Sequence, residues 1–151
     1  MSSKTIAYSF LTGISDFTLC IFVSANLPYA SQEWARYMVE LRGAPKLSLK
    51  TMVLTEGASP NAAQRKEMVD LFQGMAPPTG IVSSNSLVRG LTTALSWFNP
   101  NVKSFSPDQM GEAFSYLGIP RSLEERVWKE IWRLRAELPN STNVIRPRAT
   151  P

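Results

Sequence analysis

The chain has 151 residues, 44% of them hydrophobic and 19% charged, which suits a single packed domain and argues against wholesale disorder. It carries 16 Lys and Arg against 12 Asp and Glu, a formal charge of +4, with no histidine and one cysteine. Those counts exclude a histidine-based catalytic triad, a histidine-containing zinc site and an intrachain disulfide. Arg146 and Arg148 sit in the proline-rich C-terminal stretch, so the basic excess elsewhere is thinner still. A nucleic-acid binder usually shows a dense basic stripe, and none is expected here.

Residues 5–12 (TIAYSFLT) alternate, with Ile6, Tyr8 and Phe10 on one face. Residues 17–24 (FTLCIFVS) are more continuously apolar, as in a strand buried on both faces. The turn-like Gly13-Ile14-Ser15-Asp16 between them predicts an antiparallel hairpin. The longest apolar run, Leu19–Val23, is far shorter than the ~20 residues that span a bilayer. The N-terminal residues also lack the basic and apolar regions of a secretory signal. The expectation is a cytoplasmic protein outside the membrane, with Cys20 a small buried residue in a reducing compartment.

Trp34, Tyr37, Met38 and Leu41 recur at helical spacing and predict a helix from about Ala30 to Leu41, stopped by Gly43 and Pro45. Residues 47–54 (LSLKTMVL) read as a third strand. Ser59-Pro60 then reads as a helix start, with Ser59 as N-cap and Pro60 at the first helical position. Met68, Leu71, Phe72 and Met75 form that helix's apolar stripe, which ends at residues 76–79 (APPT). A short strand, 80–84 (GIVSS), leads to a helix starting near Ser86, with Leu87, Val88, Leu91, Ala94, Leu95 and Phe98 on its apolar side. Trp97 stands beside Phe98, and Asn99-Pro100 ends the helix.

Residues 102–105 (VKSF) read as a fifth strand. Ser106-Pro107-Asp108-Gln109 carries a capping box and opens a helix through Phe114 and Leu117 to Gly118. Ser122-Leu123-Glu124-Glu125 reads as a second capping box, opening a helix to Leu138 that Pro139 ends. Residues 139–151 are expected to form a flexible tail, leaving 1–138 as one domain. The predicted fold is α/β: a mixed sheet of about five strands, an N-terminal antiparallel hairpin followed by parallel βα units, flanked by helices.

The segment Thr79–Leu117 carries a resemblance. A short apolar strand and polar turn precede Arg89, then come Pro100, Val102 and Phe105, then a helix with Glu112-Ala113 and Tyr116-Leu117. In this order and over about residues 5–119 the chain resembles the SpoIIAA-like family, whose fold is shared with STAS domains and is related to a lipid-binding architecture. The resemblance implies a bacterial, non-enzymatic regulatory module that acts by binding a partner protein. Its lipid-binding side implies an alternative: a carrier or sensor of a lipid or anionic metabolite. Ser59 lies roughly where STAS antagonists carry a phosphorylatable serine, although the surrounding Asp-Ser-like motif is not present. The helix from Ser122 to Leu138 lies outside the resemblance.

Three sets of residues are candidates for function. At Ser59 a phosphate would meet the helix dipole and free N–H groups, while simple capping there is worth ~1 kcal/mol. Ser84, Asn85 and Arg89 follow a strand end, where open α/β sheets bind ligands, and could hold an anion. Otherwise they are a polar turn with an ordinary surface arginine. Trp128, Trp132 and Arg135 lie on the last helix, whose charges balance and whose apolar face is wide. That face packs on the chain's own sheet or docks a partner protein, including a second copy of the chain. No glycine-rich or Walker motif is present, so no cofactor or metal is predicted, and no pair of residues stands at a spacing that enzymatic chemistry requires.

Overall fold

The structure is a computed structural model and describes residues 4–90 and 101–138. The predicted positions Leu91, Ala94, Leu95, Trp97, Phe98 and Pro100, and the tail 139–151, lie outside the described residues. The mixed α/β architecture forms as the sequence predicts. The strands are β1 (Ile6–Ile14), β2 (Phe17–Ser24), β3 (Leu49–Leu54), β4 (Thr79–Val82) and β5 (Val102–Phe105). They lie side by side in chain order, β1 antiparallel to β2 and every later pair parallel.

The hairpin turns tightly. β1 runs on through Gly13 to Ile14, and Ile14 pairs with Phe17 across Ser15 and Asp16. The register shifts between Leu11 and Ile14, and Gly13 at φ +75 supplies the left-handed backbone that such a bulge uses. β2 is buried at every position, as its unbroken apolar run demands of a strand covered on both faces.

The helices are α1 (Ser31–Arg42), α2 (Ala62–Leu71), α3 (helical over 86–90), α4 (Met110–Tyr116) and α5 (Glu124–Ala136). Each parallel crossover steps the same way across the sheet, so right-handed connections put α1, α2 and α3 on one face. There Trp34, Tyr37, Met38 and Leu41 of α1 meet Ile6, Cys20, Phe22 and Leu49. α3 touches the same side, where the Ser104 hydroxyl donates to the Arg89 carbonyl at 3.4 Å. On the opposite face, α4 and α5 contribute Phe114, Leu117, Val127, Ile131 and Leu134 against Leu19, Ile21, Val23, Met52 and Leu54.

Several helix starts differ from the sequence reading. Ser59 is exposed and caps nothing. Asn61 is the N-cap of α2: its side chain accepts from Gln64 N–H at 2.8 Å, and its own N–H donates to the Gln64 side chain at 2.9 Å. That reciprocal pair satisfies two otherwise orphaned donors, which Ser59 with Pro60 cannot do. α2 stops at Leu71, so Met75 lies beyond it and is 74% exposed. The third strand is shorter than predicted, because residues Lys46–Ser48 coil into a 3₁₀ turn. The Ser106 box does form, its N–H donating to the Gln109 side chain at 2.9 Å. The Ser122 box does not. Arg121–Leu123 makes a 3₁₀ turn closed by Leu123 N–H on the Pro120 carbonyl at 2.9 Å, and α5 starts at Glu124.

Candidate functional site

Two regions hold the residues singled out by the sequence. The first is the edge formed by the C-terminal ends of the parallel strands. Loops after β2, β3 and β4 meet there: Gly57, at φ +148, lies so close to Asn26 and Asn85 that a Cβ would come within 3.3 Å and 3.1 Å of their side chains. The polar groups of this edge bond one another. Ser24 Oγ donates to Thr55 Oγ1 at 3.0 Å, and Thr55 Oγ1 donates to the Ala58 carbonyl at 2.7 Å. Asn85 N–H donates to Ser83 Oγ at 3.1 Å, while Asn85 Oδ1 accepts from Leu87 N–H at 2.9 Å.

Ser84 is exposed beside this network. Arg89 N–H makes the helical bond to the Asn85 carbonyl at 3.2 Å, and the charge of Arg89 helps to stabilise the Asp108 carboxylate. Asp108 is held below the usual carboxylate range mainly by the Ser106 hydroxyl that donates to it. The Arg89 charge is thus felt at the β5 corner. The predicted trio of Ser84, Asn85 and Arg89 shares one strand-end loop and the first turn of α3, with Asn85 already engaged by its neighbours.

The second region is α5. Its tryptophans separate, although they stand four residues apart. Trp128 is half-buried and packs edge-on against Phe114, ring centres 5.7 Å apart at 87°. Trp132 is 42% exposed. Arg135 is 7% exposed and does not project to solvent as a surface anchor would. It lies toward the strand ends, where burial lowers its pKa and the nearby Glu56 carboxylate works the other way. Of the two alternatives the sequence left for this helix face, packing within the chain or docking a partner, Arg135 follows the first.

The outward side of α5 carries a charge lattice. Arg133 bridges Glu130 at 2.6 Å and Glu137 at 2.9 Å, and Lys129 faces Glu125 at 3.7 Å. The Arg133 hydrogen bond holds the Glu130 carboxyl below its usual range against the cost of its partial burial. A shallow hollow of about 510 Å³ opens on this side, where Leu11 of β1 meets Ser122, Arg126, Lys129, Glu130 and Arg133. Leu11 was not singled out in the sequence, because a strand residue and a helix face far apart in the chain meet only through the fold.

Another residue was missed. Glu33, in the first turn of α1, accepts from Thr5 N–H at 2.8 Å, Thr5 Oγ1 at 2.8 Å and Ile6 N–H at 3.1 Å. Its only sequence signal is an acidic residue early in a helix. Among the described residues no helix is long and apolar enough to cross a membrane. Compared with protein-family models, curated proteins and solved structures, the chain matches none.

Proposed function

We propose that the protein is a non-enzymatic module of the cytoplasm that acts by binding a partner protein, with the exposed Trp132 of α5 at the centre of its docking surface. The observation that carries this reading is Trp132. It is the one aromatic residue among the exposed large hydrophobics of the described chain, and it stands beside alternating charges. Tryptophan is enriched among residues that dominate binding energy, and a rim of charges supplies the steering and register that such contacts need. Trp132 is open to solvent, whereas the polar groups at the strand ends are engaged with one another. Phosphorylation of Ser59 draws no support from a helix terminus, since Asn61 holds that place.

The test is quantitative capture of partners by the wild-type protein, by Trp132→Ala, and by Leu87→Ala as an exposed apolar control from α3. A partner bound through α5 should lose roughly 30-fold or more in affinity with Trp132→Ala, the scale of a hot-spot residue, and little with Leu87→Ala. Equal retention of every partner by both variants would remove α5 from the reading.

A further inference from the structure

β1 ends the sheet, and among the described residues its outer edge has no neighbouring strand. Terminal strands of natural sheets are usually guarded by charges, proline, bulges or covering elements. β5, the other end, spans only Val102–Phe105 and carries Lys103, whose ammonium lies over the Tyr116 ring. β1 is more than twice as long, and from Thr5 to Ser15 the sequence has no charge and no proline.

The hydrogen-bond phase shows which groups are open. Ala25 N–H donates to the Thr5 carbonyl at 2.9 Å, and the register then sets Ala7, Ser9 and Leu11 to bond β2. Ile6, Tyr8 and Phe10 turn their N–H and C=O groups outward. The Ile6 N–H is taken by Glu33, and the register shift between Leu11 and Ile14 ends regular pairing on the other side. Among the described residues the open stretch is therefore Tyr8–Phe10, guarded at both ends and unpaired in the middle.

We infer that this edge pairs with the same edge of a second copy of the chain, antiparallel about a two-fold axis through Ser9. That register fits the open groups: the N–H and C=O of Tyr8 in each copy meet those of Phe10 in the other. It also places Tyr8 and Phe10 side chains opposite one another across the axis, an aromatic cross-strand pair on the α1 side of the sheet. On the other side the axis brings the two α5 helices together. Their outward faces carry Glu125 and Glu130 among Arg126, Lys129 and Arg133, a mixed pattern that can complement itself under two-fold symmetry. The inference does not depend on Trp132, which is not among the residues that line the hollow beside Leu11.

Sedimentation of the full chain from low micromolar to near-millimolar concentration, with residue-resolved hydrogen exchange at both ends of that range, tests it. The expected result is a doubling of mass with concentration and, in step with it, slowed exchange at the Tyr8 and Phe10 amides, while Ser9 and Leu11 stay protected throughout. Phe10→Lys should lose the doubled species at the same concentration. A strictly monomeric wild type would overturn the inference. So would a dimer in which the Tyr8 and Phe10 amides exchange freely, or a monomer whose edge is covered by a peptide from another protein. Should Phe10→Lys fail to fold, the wild-type exchange pattern alone decides. Trp132→Ala should leave the dimer intact, which separates failure here from failure of the α5 docking reading.

Discussion

Replacing Glu33 by glutamine removes one charge that ties the first strand to the first helix. The carboxylate accepts from the Thr5 and Ile6 N–H groups at 2.8 Å and 3.1 Å and from the Thr5 hydroxyl at 2.8 Å. A hydrogen bond to a charged group is worth about 1.5–3 kcal/mol net, and a neutral one about 0.5–1.5. Three such differences would approach ~3 kcal/mol in a dry site, but Glu33 is half-exposed, and solvent screening reduces the expected loss to about 1–2 kcal/mol. For a chain of this length that lowers Tm by roughly 2–8 °C.

The pH dependence separates charge from packing. Burial works against the ionised form of Glu33, yet the Thr5 and Ile6 donors prevail and lower its pKa from the ordinary 4.5. A lowered folded value means that the contribution is fully present above the unfolded pKa and is lost as pH falls through the folded one. Thermal melts of wild type and Glu33→Gln should therefore differ most near neutral pH and converge in strong acid. Equal Tm values at neutral pH, or a gap that persists unchanged once the carboxylate is protonated, would refute the reasoning.

Phe114 is 1% exposed and joins α4, α5 and the sheet, so Phe114→Ala should cost about 3–5 kcal/mol in urea unfolding. Gly57→Ala should destabilise by roughly 1–3 kcal/mol in the same assay, because φ +148 is foreign to an L-residue and the new Cβ would press on Asn85 and Asn26. Cys20 is fully buried and its thiol is pushed up to about 12 by desolvation. It should resist alkylation at mildly alkaline pH in the native protein and react promptly in denaturant, as mass spectrometry would show.

The strands were legible because their signal is local. Val102–Phe105 forms where a short segment with Val102 and Phe105 at its ends stands between Asn101 and the Ser106 cap, and the continuous run from Phe17 marks the strand buried on both faces. Helix starts were less legible because Ser59, Pro60 and Asn61 are all capping residue types. Only the reach of Gln64 back to Asn61 decides among them. The site was least legible. Trp128 and Trp132 share one face of a helix in any wheel drawn from sequence. The small rotation between them becomes core against Phe114 for one and solvent for the other, and it takes α4 in place to show which. Arg135 reads from sequence as a candidate partner-binding cation, and only the folded chain shows it 7% exposed and near Glu56.

The same topology explains why the hollow beside α5 and the open edge of β1 adjoin one another. Three right-handed crossovers commit α1, α2 and α3 to a single face, so the opposite face stays bare until the chain has finished its last strand. α4 and α5 must cover it alone, and α5 lies over β1 and β2, the strands laid down first. Its inward residues Val127, Ile131 and Leu134 fill that half of the core. A helix resting at a sheet edge has one flank against α4 and, among the described residues, no element against the other. The hollow beside Leu11 and the open Tyr8–Phe10 backbone are therefore two consequences of one arrangement: a terminal strand built before its cover, and a cover that reaches it from above without pairing its edge.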